Sequence, residues 1–422
     1  MSLSGAAGRA VLVLVLFPLL LLLLSAPGCS GDPSSPAGTE STGSTVSGEP
    51  TVSTILSPEE RVLAGMSVRE KAAQVFLVGF PGTSPPAEHL AFWEEAPPGG
   101  IILFGRNVEG AEQVEGLTRD LQAVARAGGG GDGGDDGKDE EDGDVDGGIP
   151  FLVAVDQEGG EIRRIREGVP DLPGARILGE GSSPQEAARW AEETGVALRE
   201  LGISMNMAPV ADVVESGDHF LFNRSYSGDP EEVASFVEAV VSGYEKAGVV
   251  AVVKRFPGHG AAAGDTHRGL PVVTLSREEL EKGHLLPFRR AVDVGVPAVM
   301  AAHLLVEAWD PEHRVTASRA VLEGLLRGQL GFEGVIVTDD LEMGAVIGDG
   351  EDPGEAAAAV AAASVESLKA GADLLLVGHT LARQRAARQA LVEAVRDGGV
   401  SEERLDAAVL RVLRLKREHG IW

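Results

Sequence analysis

From Ser67 onward, short runs of apolar residues alternate with longer stretches in which apolar positions recur every three or four residues. The first pattern suits strands buried on both faces and the second suits helices with one apolar face. Their alternation predicts repeated strand-helix units around a parallel sheet. The predicted strands are Gln74–Phe80, Gly100–Phe104, Phe151–Asp156, Ser204–Val213, Val249–Phe256, Ala298–His303, Val335–Asp339 and Asp373–Val377. Between them, Glu186–Leu201, Glu231–Ala247, Arg277–Val294 and Glu355–Ala370 have helical spacing, and Glu402–Glu418 reads as a last helix. Eight such runs predict one (β/α)8 barrel of the TIM type over residues 57–422.

Polar residues gather where these runs end. Asp156, Asp212, Lys254, His303 and Asp339 each follow an apolar run at its C-terminal edge, which in such a barrel is the catalytic face. Any one of them alone reads equally well as a helix cap or a loop charge. Five at the same edge point to a site.

Two segments break the pattern. Arg9 precedes an apolar run from Ala10 to Leu24, followed by Ser25-Ala26-Pro27-Gly28-Cys29, which resembles a bacterial lipoprotein signal with Cys29 as the lipidated residue. A plain secretory signal and an uncleaved anchor are the other readings of the same run, and all three place the domain outside the cytoplasm. The Ser-, Gly-, Thr- and Pro-rich stretch 30–56 then reads as a flexible tether. The second break, Gly128–Gly148, holds ten glycines and nine acidic residues against the single Lys138, the composition of a solvated surface insertion. Asp142, Asp144, Asp146 and Gly147 match the opening of a calcium loop, but the twelfth position is Val153, inside a predicted strand, which argues against a metal there.

Charge and cysteine content narrow the chemistry. The 422 residues carry a net charge of −29, which repels a nucleic-acid backbone and favours a neutral substrate. One cysteine permits neither an internal disulfide nor a cysteine-based zinc site.

Two constellations carry candidate chemistry. Thr338-Asp339-Asp340-Leu341-Glu342-Met343 sets two carboxylates directly after a buried strand. Neighbouring residues of an extended segment point to opposite sides, so one can face the barrel mouth while the other is held in the wall. As bare chemistry the pair could equally bind a metal or cap a helix. The second is Lys254-Arg255-Phe256-Pro257-Gly258-His259-Gly260, followed through Ala261-Ala262-Ala263-Gly264 by Asp265-Thr266-His267. Its glycines and proline let a long loop fold over a strand end. An aspartate two residues before a histidine can hold the imidazole and raise its basicity, so Asp265 and His267 look like an acid/base pair.

These segments, with Asp156-Gln157-Glu158-Gly159-Gly160 and Arg164 before them, occur in the order and spacing of glycoside hydrolase family 3. They most resemble its single-domain bacterial β-N-acetylglucosaminidases. Gly100-Ile101-Ile102-Leu103-Phe104, Asn206-Met207-Ala208-Pro209-Val210-Ala211-Asp212-Val213 and Ala370-Gly371-Ala372-Asp373 extend the resemblance from about Ser57 to the C-terminus.

The resemblance implies a retaining β-N-acetylhexosaminidase with Asp339 as nucleophile and Asp265 and His267 as the acid/base dyad. Asp156, Arg164, Arg224, Lys254, the position of Arg255, and His303 would hold the sugar. Larger members of the family draw their acid/base from a second domain; the residues after Asp339 suffice only to finish the barrel, so the proton donor is expected from the barrel itself. Two positions depart from the family pattern: Arg255 stands where a histidine is usual, and Ala261-Ala262 stands where Asp-Thr is usual. A monomer needing no cofactor or metal is expected. β-Glucosidase or phosphorolytic activity on the same scaffold, and a glycan-binding surface lipoprotein without turnover, remain as alternatives.

Overall fold

The computed structural model describes residues 56–128, 148–348 and 352–422. Cys29 with its signal and tether, and the aspartates of the acidic insertion, lie outside the described residues.

All eight predicted strands are present and form one parallel sheet: β1 (Phe76–Val78), β2 (Gly100–Leu103), β3 (Leu152–Val155), β4 (Met205–Asn206), β5 (Val250–Phe256), β6 (Ala298–Ala301), β7 (Val335–Thr338) and β8 (Leu375–Val377). Each pairs with its sequence neighbours, β1 also pairs with β8, and a parallel bridge from Val337 to Leu374 joins β7 to β8. The sheet is therefore a barrel with helices outside, as predicted.

The strands alternate strictly between two apolar layers. Leu152 and Ala154, Val250 and Val252, Ala298 and Met300, and Val335 and Val337 fill the barrel interior. Val153, Val155, Ala251, Val253, Val299 and Ile336 pack outward against the helices. The two-residue period then decides where the residues just past each strand point. Asp156, Lys254 and Asp339 continue the inward series at the C-terminal mouth. His303 and Asp340 are one residue out of phase and belong to the wall.

Two elements depart from the sequence reading. The fourth strand is shorter than Ser204–Val213, because Pro209 has no N–H to offer the ladder and the Ala208 N–H turns back to Asn206 O at 2.8 Å. The helix expected over Arg277–Val294 is two helices, Arg277–Lys282 and Leu286–Asp293, interrupted at Gly283. Pro287 opens the second one, where its missing N–H costs nothing. At the opposite end of the barrel the last helix, Glu402–Glu418, inserts Val412 and Leu415 into the interior layer and closes its floor.

Candidate active site

The mouth of the barrel holds a cavity of about 370 Å³ lined by Asp156, Arg164, Arg224, Lys254, Arg255, His267, Asp339 and Asp340, among others. A larger cleft of about 1080 Å³ opens at the N-terminal end of the barrel beside Arg327, Arg411 and His419. It gathers none of the strand-end groups, and loops at that end of a barrel serve stability.

Strand parity delivers the first carboxylates. Asp156 Oδ1 accepts from Lys254 Nζ at 2.8 Å, and Arg164 Nη2 stands 3.3 Å from its other oxygen. Glu158, two residues further along the same extended segment, takes Lys254 Nζ at 2.6 Å and a two-point contact from Arg224, at 2.8 and 2.6 Å. Lys254 is 2% exposed, so its buried ammonium depends on these two carboxylates. Burial alone would raise both carboxyl pKa values. The Lys254 and Arg164 charges outweigh it at Asp156, and the Lys254 and Arg224 charges at Glu158, so both carboxyls sit below the ordinary range. Burial pulls the Arg224 guanidinium down, and Glu158 reverses that and holds it above its usual value.

Arg255 joins a second set. Its Nη1 is 3.3 Å from Asp212 Oδ2 and its Nε is 3.7 Å from Asp339 Oδ2, while Nη2 lies 3.9 Å from Glu158. Asp212, fully buried, also accepts the N–H groups of His259 at 2.5 Å and Gly260 at 3.2 Å. This one carboxylate thereby anchors the start of the loop after β5. Gly258 enters that loop at φ +124°, where a side chain is strained and a Cβ would sit 2.7 Å from His284.

Further along the loop, Asp265 Oδ1 accepts both the His267 backbone N–H at 3.0 Å and the ring Nδ1–H at 2.7 Å. Burial works against ionisation at Asp265, but these two bonds prevail and lower its pKa. The imidazole is 68% exposed and its Nε2 is left for other partners. The loop is docked on the segment after β7: Ala345 N–H donates to Thr266 O at 2.9 Å. At Gly344 a Cβ would lie 2.5 Å from His267 O, so only glycine allows this approach. The contact brings His267 and Asp339 to one cavity, with Asp265 behind the ring.

The two aspartates after β7 divide as their parity requires. Asp339 faces the cavity, with Oδ1 taking the Asp340 N–H at 2.9 Å. Asp340 Oδ1 turns to the Glu342 N–H at 2.9 Å and the Gly378 N–H at 3.4 Å. Glu342 in turn accepts the His379 and Thr380 N–H groups at 2.7 and 2.9 Å, at the start of helix Leu381–Arg396, together with Arg383 at 2.8 Å.

One expected sugar contact is corrected. His303 is fully buried: its Nε2 donates to Asp340 O at 3.0 Å and its Nδ1 accepts from the Thr316 hydroxyl at 2.9 Å. Both nitrogens are used within the protein, and burial lowers the ring pKa. His303 is a strut behind Asp340. Conversely, Glu158 stood only within a motif and Asp212 only among the strand-end groups, neither with a function of its own. The spacing of Asp156 and Glu158 on an extended segment carried the signal for the first, and a strand-end position carried it for the second.

Residues 135–415 match the family model described as the glycosyl hydrolase family 3 N-terminal domain. Among relatives, a β-hexosaminidase of Stenotrophomonas maltophilia is 32% identical over 72% of this chain and 83% of its own length. One of Bordetella avium is 35% identical over 66% and 73%. The solved structure of a glycoside hydrolase family 3 β-N-acetylglucosaminidase from Paenibacillus superposes with a TM-score of 0.76 at 38% identity, covering 84% of this chain and 63% of that one. The β-N-acetylhexosaminidase of Beutenbergia cavernae gives 0.72 at 28%, covering 84% and 99%. This chain thus spans nearly all of the Beutenbergia chain but under two thirds of the Paenibacillus one.

Proposed function

We propose a retaining β-N-acetylglucosaminidase for this chain, which belongs to glycosyl hydrolase family 3 and is an enzyme of the glycoside hydrolase class. The observation that carries the reading is the convergence of Asp339 and His267, the latter held from behind by Asp265, on one cavity ringed by buried ion pairs.

The chemistry runs in two steps. Asp339 attacks the anomeric carbon as the bond to the aglycone oxygen breaks, and His267 gives that oxygen its proton. The same imidazole then takes a proton from water as the water displaces Asp339. Asp265 fixes the ring so that Nδ1 carries a proton and Nε2 does the exchange. Arg164 and Arg224 line the cavity with N–H groups suited to sugar hydroxyls, and Asp156 and Lys254 complete the first subsite.

The substrate class is a terminal β-linked N-acetylglucosamine, carried by peptidoglycan fragments or chitooligosaccharides. The names of the relatives and the neutral sum of the charges around the cavity both support it. The Arg9–Cys29 segment supports a lipid-anchored or secreted enzyme acting outside the cytoplasm. A chromogenic β-N-acetylglucosaminide tests the reading, assayed with and without inorganic phosphate and followed by trapping with a 2-fluoro or 5-fluoro glycosyl inhibitor. Colour release that does not depend on phosphate, with a label on Asp339, is expected. Phosphate-dependent release would make the enzyme a phosphorylase, and a trapped oxazoline without labelled aspartate would replace Asp339 by the substrate's own acetamido group.

A further inference from the structure

Contacts link eight charged groups of the site into one network. The carboxylates are Asp156, Glu158, Asp212 and Asp339, and the cations are Arg164, Arg224, Lys254 and Arg255. Four charges of each sign balance while the enzyme is free. Arg255 is the member that reaches Asp339, through Nε at 3.7 Å. Its side chain is only 10% exposed, against 20% for Arg224 and 30% for Arg164, so it is the least able of the three arginines to present N–H groups to a sugar.

We propose that Arg255 acts on the nucleophile rather than on the sugar: it stabilises the carboxylate of Asp339 as that group leaves, and so speeds breakdown of the glycosyl-enzyme. The proposal rests on the two-step reading above. When an Asp339 oxygen bonds to the anomeric carbon, the electron pair of the broken glycosidic bond goes to the aglycone oxygen with a proton from His267, and Asp339 becomes a neutral ester. Three carboxylates then face four cations, and Arg255 has lost the Asp339 charge while keeping Asp212. In the second step water adds to the anomeric carbon and gives a proton to His267. The ester bond breaks, and its electron pair returns to Asp339 as a carboxylate beside Arg255. Charge develops next to a fixed cation in that step, the arrangement that lowers a barrier. In the first step the same cation stabilises the resting carboxylate and restrains attack. Arg255 therefore biases the partition toward release and keeps the covalent intermediate sparse.

Arg255→Gln is the direct test, because glutamine keeps a donor for Asp212, which also retains the His259 and Gly260 N–H groups. With a 2,4-dinitrophenyl β-N-acetylglucosaminide, stopped-flow absorbance on the variant should show a burst approaching one equivalent of enzyme. Steady-state kcat should fall by roughly tenfold and KM by at least as much, with kcat/KM kept or raised, and intact mass of the quenched protein should show the glycosyl adduct. Arg255→Lys should restore most of kcat and abolish the burst. A raised KM without a burst would make Arg255 a sugar-binding group and overturn the proposal. Wild-type enzyme provides the second measurement, which needs no variant to fold: quenched during turnover, it should carry little adduct, and a largely glycosylated wild type would overturn the proposal too. Adduct trapped on wild-type Asp339 with an unchanged partition in the variant sinks the role of Arg255 alone, whereas no adduct under any condition sinks the two-step reading with it.

Discussion

The backbone N–H of Asp340 donates to Asp339 Oδ1 at 2.9 Å, so two adjacent carboxylates that look alike in sequence are sorted by the chain between them. Asp339 keeps its second oxygen toward the cavity and Arg255. Asp340 is tied to the N–H groups of Glu342 and Gly378 and stands on the backbone carbonyl that His303 holds.

Opposite signatures follow for the two. Asp339→Asn should lower kcat by about three orders of magnitude or more while the thermal midpoint stays near wild type, since no covalent intermediate can form. Asp340→Asn should mainly lower the thermal midpoint, because an amide oxygen is a weaker acceptor for the Glu342 N–H that shapes the loop after β7 and the Gly378 N–H that ties that loop to the one after β8. Kinetics and differential scanning calorimetry on both variants measure the split. An Asp340→Asn enzyme of normal stability with no activity would reverse the assignment.

Much of this site is legible in the sequence, because it depends on strand parity. The apolar residues at 152 and 154, 250 and 252, and 335 and 337 fix which side is interior, and Asp156, Lys254 and Asp339 fall in phase with them. The same count places His303 out of phase with Ala298 and Met300, so its place at a strand end suggests a sugar ligand while its direction makes it part of the wall. What could not be read is what joins distant segments. The docking of the His267 loop on Gly344, and the Asp212 carboxylate shared by Arg255, His259 and Gly260, depend on contacts between loops whose spacing in sequence carries no period. The break at Gly283 does not show in the apolar spacing, which runs across it; only the glycine and Pro287 mark the interruption.

Lys416, on the closing helix, gives a pH dependence with a definite sign. It is fully buried, its ammonium meets only Gln74 Oε1 at 3.1 Å among the described side chains, and burial lowers its pKa from 10.5 to about 7. The unfolded chain therefore binds one more proton than the folded protein between about pH 7 and 10.5, so stability from this group rises with pH across that window. Lys416→Met should raise the thermal midpoint at pH 6 and flatten its rise between pH 7 and 9. Wild-type and variant midpoints that change with the same slope across that window would show that the lysine stays charged in the fold.

The acidic insertion, expected to be a solvated loop, leaves the barrel between stems that meet: Gly148 N–H donates to Arg126 O at 3.1 Å. Stems already in hydrogen-bond contact can be bridged by a few residues, and a shorter loop costs less closure entropy. Replacing residues 129–147 with a short Gly-Ser link should change neither activity nor thermal midpoint appreciably. Calorimetry with calcium and with chelator decides between this and a metal held by Asp142, Asp144 and Asp146; a calcium-reversible stabilisation of the full-length protein alone would establish the metal.

His267 and His259 lie eight positions apart on one loop and should fail in different ways. His267 is exposed, oriented by Asp265 and lines the cavity. Its loss removes a proton donor, which matters only when the aglycone oxygen is a poor leaving group. His267→Ala should therefore slow a disaccharide by about 10²-fold or more, the usual worth of a positioned acid, and slow a dinitrophenyl glycoside far less in its first step. His259 is fully buried and packs edge-on to Phe220 with ring centroids 5.1 Å apart, and burial holds its pKa down. Truncating it opens a cavity, so His259→Ala should lower the thermal midpoint and reduce both substrates in parallel as the loop loosens. Rates measured across a series of aryl glycosides of graded leaving-group acidity turn this into a slope: steep for His267→Ala, and at the wild-type value for His259→Ala. A steep slope at His259, or parallel losses at His267, would move the proton-transfer role to the other ring.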